Sequence, residues 1–334
     1  MVFEPVTALT IEEIEGDWKR LEAEWHLLWR ELPNPTPFQT YAWVSASLRA
    51  FPEERGRLLV AHGPDRLVAI APLVGGETIH LAGGAVSDYQ DALVAPGFER
   101  MVMTALAEHL REEPHCWSEC VFENLRPESA LLYGDFGANY TDFIESHEVC
   151  PVLMLSGAPS TLTGLPPSVP AHQQEKVRYY RRRAEKAGKL EFETATWEML
   201  DEYLDALFRL HRARWQKRGQ NGVLEDYRVQ TLHRLAAPGL MRADVLRMYG
   251  MRLDGKLVAV YLGFVCGERA SYYLSGFDPL VAELSPGMLL VAHAISEAVR
   301  EKARCFDFLR GGEAYKYAWG AHDSHTYRRT IRRI

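Results

Sequence analysis

The chain has 334 residues, 47% of them hydrophobic and 25% charged, a composition that supports packed cores and excludes a disordered polypeptide. Its net charge of −7 argues against a generic binder of nucleic acid or of anionic membranes. A single core stops growing at about 250–300 residues, so two domains are expected. The five cysteines, Cys116, Cys120, Cys150, Cys266 and Cys305, form an odd set without a CxxC pair. They read as thiols of a reducing compartment. His115, Cys116 and Cys120 are not joined by a second pair of ligands, so no metal is assigned. The start, "MVFEPVTALTIEEIEGDW", lacks a basic stretch followed by an apolar one, and no apolar run approaches the roughly 18 residues a membrane span needs. The expectation is a cytoplasmic protein without membrane insertion.

In chain order, a helical, Trp-containing segment "YAWVSASLRAF" comes first. The hairpin "RLLVAHGPDRLVAIAPLVG" follows from Arg57, then a strand "TIHLAGG", a helix "FERMVMTALAEHL" and a strand "CVFENL". The stretch "GAPSTLTGLPPSVPAH", residues 157–172, is rich in Gly, Pro and Ser and reads as a linker. After a basic helix, "QQEKVRYYRRRAEKAG", ending at Gly188, the first series recurs: helical "LDALFRLHRARWQ", hairpin "VLRMYGMRLDGKLVAVYLGFV", strand "ASYYLSGF", helix "GMLLVAHAISEAVR" and strand "CFDFLRGG". An order repeated through five elements predicts a duplicated α/β unit, with domains at 1–156 and 173–334.

Four places concentrate chemistry. In "FDFLRGGEAYKYAWGA" a strand runs into Gly311 and Gly312 and then a charged and aromatic cluster, at the kind of strand end where α/β sheets place ligands. Arg310 and Lys316 suit a phosphate or carboxylate, Trp319 a substrate ring, and Glu313 or Tyr315 proton transfer. The loop "GGAVSDYQDALVAPG" brings Asp88 and Asp91 around Tyr89, residues equally at home in turns. "AELSPGMLLVAHAI" sets Ser285, Pro286 and Gly287 at a helix start, where free N–H groups and the dipole favour a phosphate. Glu283 nearby opposes an anion unless it points away. The basic run from Lys176 to Lys186, with Tyr179 and Tyr180 interleaved, is either a solvated face or an RNA-phosphate surface, and the stretch from His211 to Arg218 adds a second.

Together "TPFQTYAW", "SDYQDALVAPG", "RYYRRRAEK", "LFRLHRARWQKRGQ", "YYLSGFDP", "LSPGMLLVAHAI" and "FDFLRGGEAYKYAWGA" resemble the GNAT-type acetyltransferase-like family that includes CelD-like proteins, related to the FemAB-type aminoacyl transferases. The resemblance implies an α/β chain with tandem GNAT-like domains, each a mixed sheet flanked by helices. It also implies acyl transfer to an amine or hydroxyl of a small molecule, saccharide or cell-envelope precursor, from acetyl-CoA or another acyl-CoA. Ser285, Gly287 and Met288 then hold the cofactor; Arg310, Lys316, Trp319 and Tyr89 hold substrate. The base is Glu313, Asp88 or Asp91, and the acid Tyr315 or Tyr273. The family commonly opens its pyrophosphate helix with Arg or Gln, two residues, Gly, one residue, then Gly or Ala. Here Leu284 and Leu289 take the outer places and only Gly287 stays. A FemAB-like donor, charged tRNA, is the alternative, as is a non-catalytic saccharide-binding module; DNA is not a partner.

Overall fold

The computed structural model describes residues 9–16, 18–53, 56–112, 117–217 and 219–334. In chain order the elements are β1 (Thr10–Ile14), α1 (Glu22–Glu31), α2 (Tyr41–Ala50), β2 (Gly56–His62), β3 (Leu67–Gly75), β4 (Thr78–Leu81), β5 (Leu93–Val94), α3 (Glu99–Glu112), β6 (Glu119–Leu125), β7 (Tyr140–Met154), α4 (Ala171–Ala187), β8 (Leu190–Thr194), α5 (Leu200–Gln216), α6 (Tyr227–Arg242), β9 (Leu246–Leu253), β10 (Lys256–Cys266), β11 (Arg269–Phe277), α7 (Pro286–Arg300), β12 (Cys305–Asp307), α8 (Ala314–Tyr317) and β13 (His322–Arg333). They form two units, residues 1–148 with 325–334, and residues 149–324. No helix among the described residues is long and apolar enough to cross a membrane.

Each unit holds a mixed sheet with one pairing scheme. In the first, β1, β2, β3 and β4 pair antiparallel in turn, β6 joins β4 in parallel, and residues of β13 pair antiparallel with β6. In the second, β8, β9, β10 and β11 pair antiparallel, β12 joins β11 in parallel, and residues of β7 pair antiparallel with β12. Two helices separate the first and second strands of each series and one helix separates the fourth and fifth. The repeat predicted from the two hairpins is thus present in the pairing itself. The division differs from the expected one. The last strand of the first unit comes from the chain's C-terminal end, while residues 149–154 supply that strand in the second, an exchange no local sequence signal announces. The segment expected to link the domains, 157–172, instead packs Leu165 and Val169 into the core of the second unit.

The C-terminal strand is anchored by Arg329, almost fully buried. Its Nε donates to Asp142 Oδ1 at 2.9 Å and its Nη1 to the Leu131 carbonyl at 2.8 Å, and its guanidinium lies over the Phe136 ring. A buried cation needs this full set of partners to offset its desolvation.

In the second unit, β10 reads "KLVAVYLGFVC" and is apolar on both faces because helices cover both. α5 packs on β10 and β11, and α7 packs on β9, β10 and β11. The pairing of β10 with β11 shifts register between Leu262 and Gly263. A Cβ at Gly263 would stand 2.2 Å from the Tyr261 hydroxyl and 2.3 Å from the Ser271 carbonyl oxygen, so this irregularity closes only around a glycine. Gly263→Ala is therefore expected to cost roughly 1–3 kcal/mol of stability. Chemical denaturation measures this, and an unchanged midpoint contradicts the tight fit.

Candidate functional site

The pairing of β11 with β12 stops early. Arg269, Ala270 and Ser271 face Cys305, Phe306 and Asp307, and beyond them the parallel strands have no further partners. Asp307, with 0% exposure, takes a hydrogen bond from the Leu309 backbone N–H at 2.8 Å and an ion pair from Arg269 at 2.6 Å. Leu309 (φ 56°) and Gly311 (φ 103°) then turn the chain away through left-handed conformations. The rest of β11 is left with an open edge, and a cavity of about 380 Å3 lies beside it.

Four elements and the start of α7 line this cavity. Tyr272, Ser275 and Phe277 come from β11, Gln173 and Lys176 from α4, Arg214 from α5, and Tyr315 and Trp319 from α8 and the residues after it. Ser285, Pro286, Gly287 and Met288 line it at the first turn of α7. Ser285 adopts a left-handed conformation (φ 52°) and gives no side-chain cap, and Pro286 has no N–H, so Gly287 and Met288 present the first backbone donors. Glu283, feared as a repulsive charge, pairs with Arg183 at 3.5 Å and is not among the lining residues.

Two of the hydroxyls pair. Tyr272 Oη and Ser275 Oγ are 2.7 Å apart, the Tyr315 ring stands edge-on to that of Tyr272, and Arg214 Nη1 reaches Ser275 Oγ at 3.5 Å. Burial first, then Tyr272 and Glu313, push the Tyr315 phenol above its ordinary pKa, so it stays protonated at neutral pH. Arg214 also stacks over the Phe277 ring, 5.1 Å from its centroid. Neither it nor Lys176 has a carboxylate partner among the described residues, and no Asp, Glu or His is among the lining residues. What is assembled is a cavity lined by two cations without carboxylate partners and by tyrosine and serine hydroxyls.

A search of curated protein sequences gives no match. The family model for the acetyltransferase (GNAT) domain matches residues 171–317, which contain every cavity residue named above except Trp319. This part of the chain is thus similar to a GNAT acetyltransferase domain. Among solved structures, the chain resembles FemX (11% identity, TM-score 0.64, covering 95% of this chain and 96% of that one). It also resembles the C-terminal domain of a putative lysylphosphatidylglycerol synthetase from Agrobacterium fabrum (13%, TM-score 0.59, 92% of each chain). A third is a tandem GNAT protein from the clavulanic acid biosynthesis pathway (17%, TM-score 0.50, 96% and 98%). At these identities the likeness is one of fold, and the fold is the tandem GNAT-like one that the motifs implied. The enzyme class that goes with the matched domain is acyl transfer.

Of the residues singled out from the sequence, Ser285, Gly287, Met288, Tyr315 and Trp319 meet at this cavity. Others are elsewhere. Lys316 is 2% exposed, and its ammonium donates to the carbonyls of Leu309, Arg310 and Gly311 at 3.2, 2.7 and 2.9 Å and pairs with Glu313 at 2.9 Å. It closes its own loop, where an anion-binding role was expected. Arg310 is half-buried and Glu313 exposed, and neither lines the cavity. Tyr273 was expected as an acid, yet its ring packs against His233 and Phe264 while its neighbour Tyr272 lines the cavity, because successive side chains of a strand point to opposite faces. His211 is buried and accepts the Trp215 indole N–H at 2.9 Å; burial and Arg214 push it down to about 4, so it is a neutral packed histidine. Among the described residues no group of three or more His, Cys, Asp and Glu is arranged to hold a metal; His115 and Cys116 lie outside them.

Asp88, Tyr89 and Asp91 belong to the first unit. Their loop is held by "TPFQ": Thr36 and Gln39 form a capping box, and Gln39 Nε2 donates to the Ala92 carbonyl at 3.1 Å. Tyr89 is buried with its ring under Arg126. Asp91 Oδ1 accepts from Ser129 Oγ and from the Ala92 N–H, both at 2.8 Å, beside a cavity of about 80 Å3. Burial pushes its pKa up to about 7 against the lowering by Ser129 and Arg126.

Two predictions arise. Lys316→Met leaves three carbonyls without their donor and is expected to destabilise the protein by on the order of 3 kcal/mol in urea denaturation; a change under about 0.5 kcal/mol contradicts the structural role. For Asp91, the folded carboxyl keeps its proton up to about pH 7 while the unfolded one loses it near 4, so wild-type stability falls as pH rises between these values. Asp91→Asn removes the titration. Its melting temperature relative to wild type is expected to climb from pH 5 to pH 8, whereas a constant difference contradicts the raised pKa.

Proposed function

We propose that the protein transfers an acyl group, acetyl in the simplest case, from an acyl-CoA to an amine or hydroxyl of a small molecule, saccharide or cell-envelope precursor. The observation carrying this reading is the cavity where β11 and β12 part, with the first N–H groups of α7 at one side and Tyr315, Tyr272 and Ser275 in its wall. Helix N–H groups and their dipole suit the donor's phosphates.

In the chemistry this supports, the acceptor's nitrogen or oxygen attacks the thioester carbonyl and the carbon–sulfur bond breaks. The thiolate takes the Tyr315 proton, with the Tyr272 ring edge-on beside that phenol. Tyr315 is 41% exposed and, like any phenol, carries its proton at neutral pH, so that proton is within reach of a strongly basic leaving group. No Asp, Glu or His among the described residues lines the cavity, so in this reading the acceptor's proton leaves through water to Glu313, which is exposed and close enough to Tyr315 to act on its phenol electrostatically.

A second reading, aminoacyl transfer from charged tRNA, is favoured by the exposed cations of α4, Arg182 among them, which has no ion-pair partner among the described residues. Calorimetry with acetyl-CoA and CoA at two salt concentrations separates the two. Micromolar binding is expected; absence of binding, with salt-sensitive retention of charged tRNA in a filter assay, overturns the thioester donor. Where acetyl-CoA binds, Tyr315→Phe is expected to lower acyl turnover about 100-fold with donor affinity within about twofold of wild type. Unchanged turnover removes Tyr315 as the acid.

A further inference from the structure

The family's glycine-rich helix start is reduced here to Gly287, followed by Leu289 and preceded by Pro286, so α7 offers a phosphate few backbone donors. Three side chains from outside that motif stand at the same cavity. Gln173 is only 3% exposed and lines the cavity, yet its side-chain amide has no hydrogen-bond partner among the described residues. The amide stays reachable from the cavity, so its free hydrogen-bonding capacity is open to a ligand there. One helical turn on, Lys176 shares that face of α4 and stands at the rim without an ion-pair partner. From the far side Arg214 of α5 presents a guanidinium that touches Ser275 and Phe277 and pairs with no carboxylate.

We infer that Gln173, Lys176 and Arg214 form a side-chain clamp for a diphosphate, which replaces the missing backbone cradle and selects a nucleotide-linked thioester over a donor without a diphosphate. This inference rests on the acyl-CoA reading and names the residues that choose the donor. Two uncompensated cations facing one cavity repel each other, and a diphosphate neutralises both while filling the amide's open valence. α4 is placed for this by its own stripe. Val177 and Ala184 are buried in the core of the second unit, and α4 packs on α7 and on the turn before it, which sets Gln173 and Lys176 against the helix start.

The test is calorimetry on the full chain with three probes, CoA, inorganic pyrophosphate and pantetheine, for wild type, Gln173→Leu, Lys176→Met and Lys186→Met. Lys186 lies on the same helix and is not among the cavity residues. The clamp requires that pyrophosphate competes with CoA, that Gln173→Leu and Lys176→Met each weaken CoA about tenfold or more, that Lys186→Met does not, and that pantetheine binding is the same in all four. Melting temperatures confirm that the variants are folded. CoA bound equally by all four overturns the clamp and leaves the acyl-CoA reading standing. Pyrophosphate bound in a Lys176-dependent way without CoA keeps the clamp and overturns that reading, and wild type that binds neither overturns both.

Discussion

The cavity beside β11 depends on how soon two parallel strands stop pairing. β11 and β12 share three residue pairs, and what holds them to three is Asp307. Its carboxylate sits in the core, neutralised by Arg269 and oriented by the Leu309 N–H, so the strand cannot slide or lengthen without stranding a buried charge. The left-handed turn at Leu309 and Gly311 follows from that capped end, and Lys316 then ties three successive carbonyls of the turn together. A loop whose polar groups are satisfied internally does not need water or sheet partners, and it can stay clear of the edge of β11. Tyr272, Ser275 and Phe277 reach a ligand because this edge stays open.

The two units follow one pairing scheme and end it with different chemistry. In the first, β4 and β6 also pair over a short parallel stretch, and the crossover helix α3 also begins just beyond the sheet. There, however, Glu99 at the start of α3 accepts the Gly97 N–H at 2.9 Å, so the helix start carries its own carboxylate. At α7 the equivalent place has Ser285 without a side-chain cap and cations in reach. One topology thus presents an anion-filled helix end once and an open one once, which is why the fold by itself assigns no function to either.

How much of this the amino-acid string discloses follows from the range of each signal. Hairpins are local: Pro64-Asp65 and Asp254-Gly255 between β-rich runs place β2–β3 and β9–β10 correctly, and Ser285-Pro286 marks the start of α7. Exchange of the last strand between units is non-local, and 157–172 looks like a linker because its buried residues, Leu165, Pro166 and Val169, are few. Tyr273 and Tyr272 differ by one position, and which of them faces the cavity depends on a register that shifts at Leu262/Gly263. Lys316 and Glu313 show helical spacing in the sequence, but nothing there tells that the ammonium is buried. Gln173 gave no signal at all: an uncharged residue opening a basic helix reads as surface until the neighbouring elements bury it.

Recognition by side chains has a different distance dependence from recognition by a backbone loop. Hydrogen bonds from a glycine-rich turn require the phosphate within a few tenths of an ångström of ideal geometry, so losing the two outer motif positions, as at Leu284 and Leu289, removes most of such a site. Cations act over a longer range and through flexible stems. Lys176 at a rim and Arg214 on a helix can therefore hold an anion at a helix end whose backbone no longer wraps it, and the buried Gln173 amide adds the directional contact that two mobile charges lack.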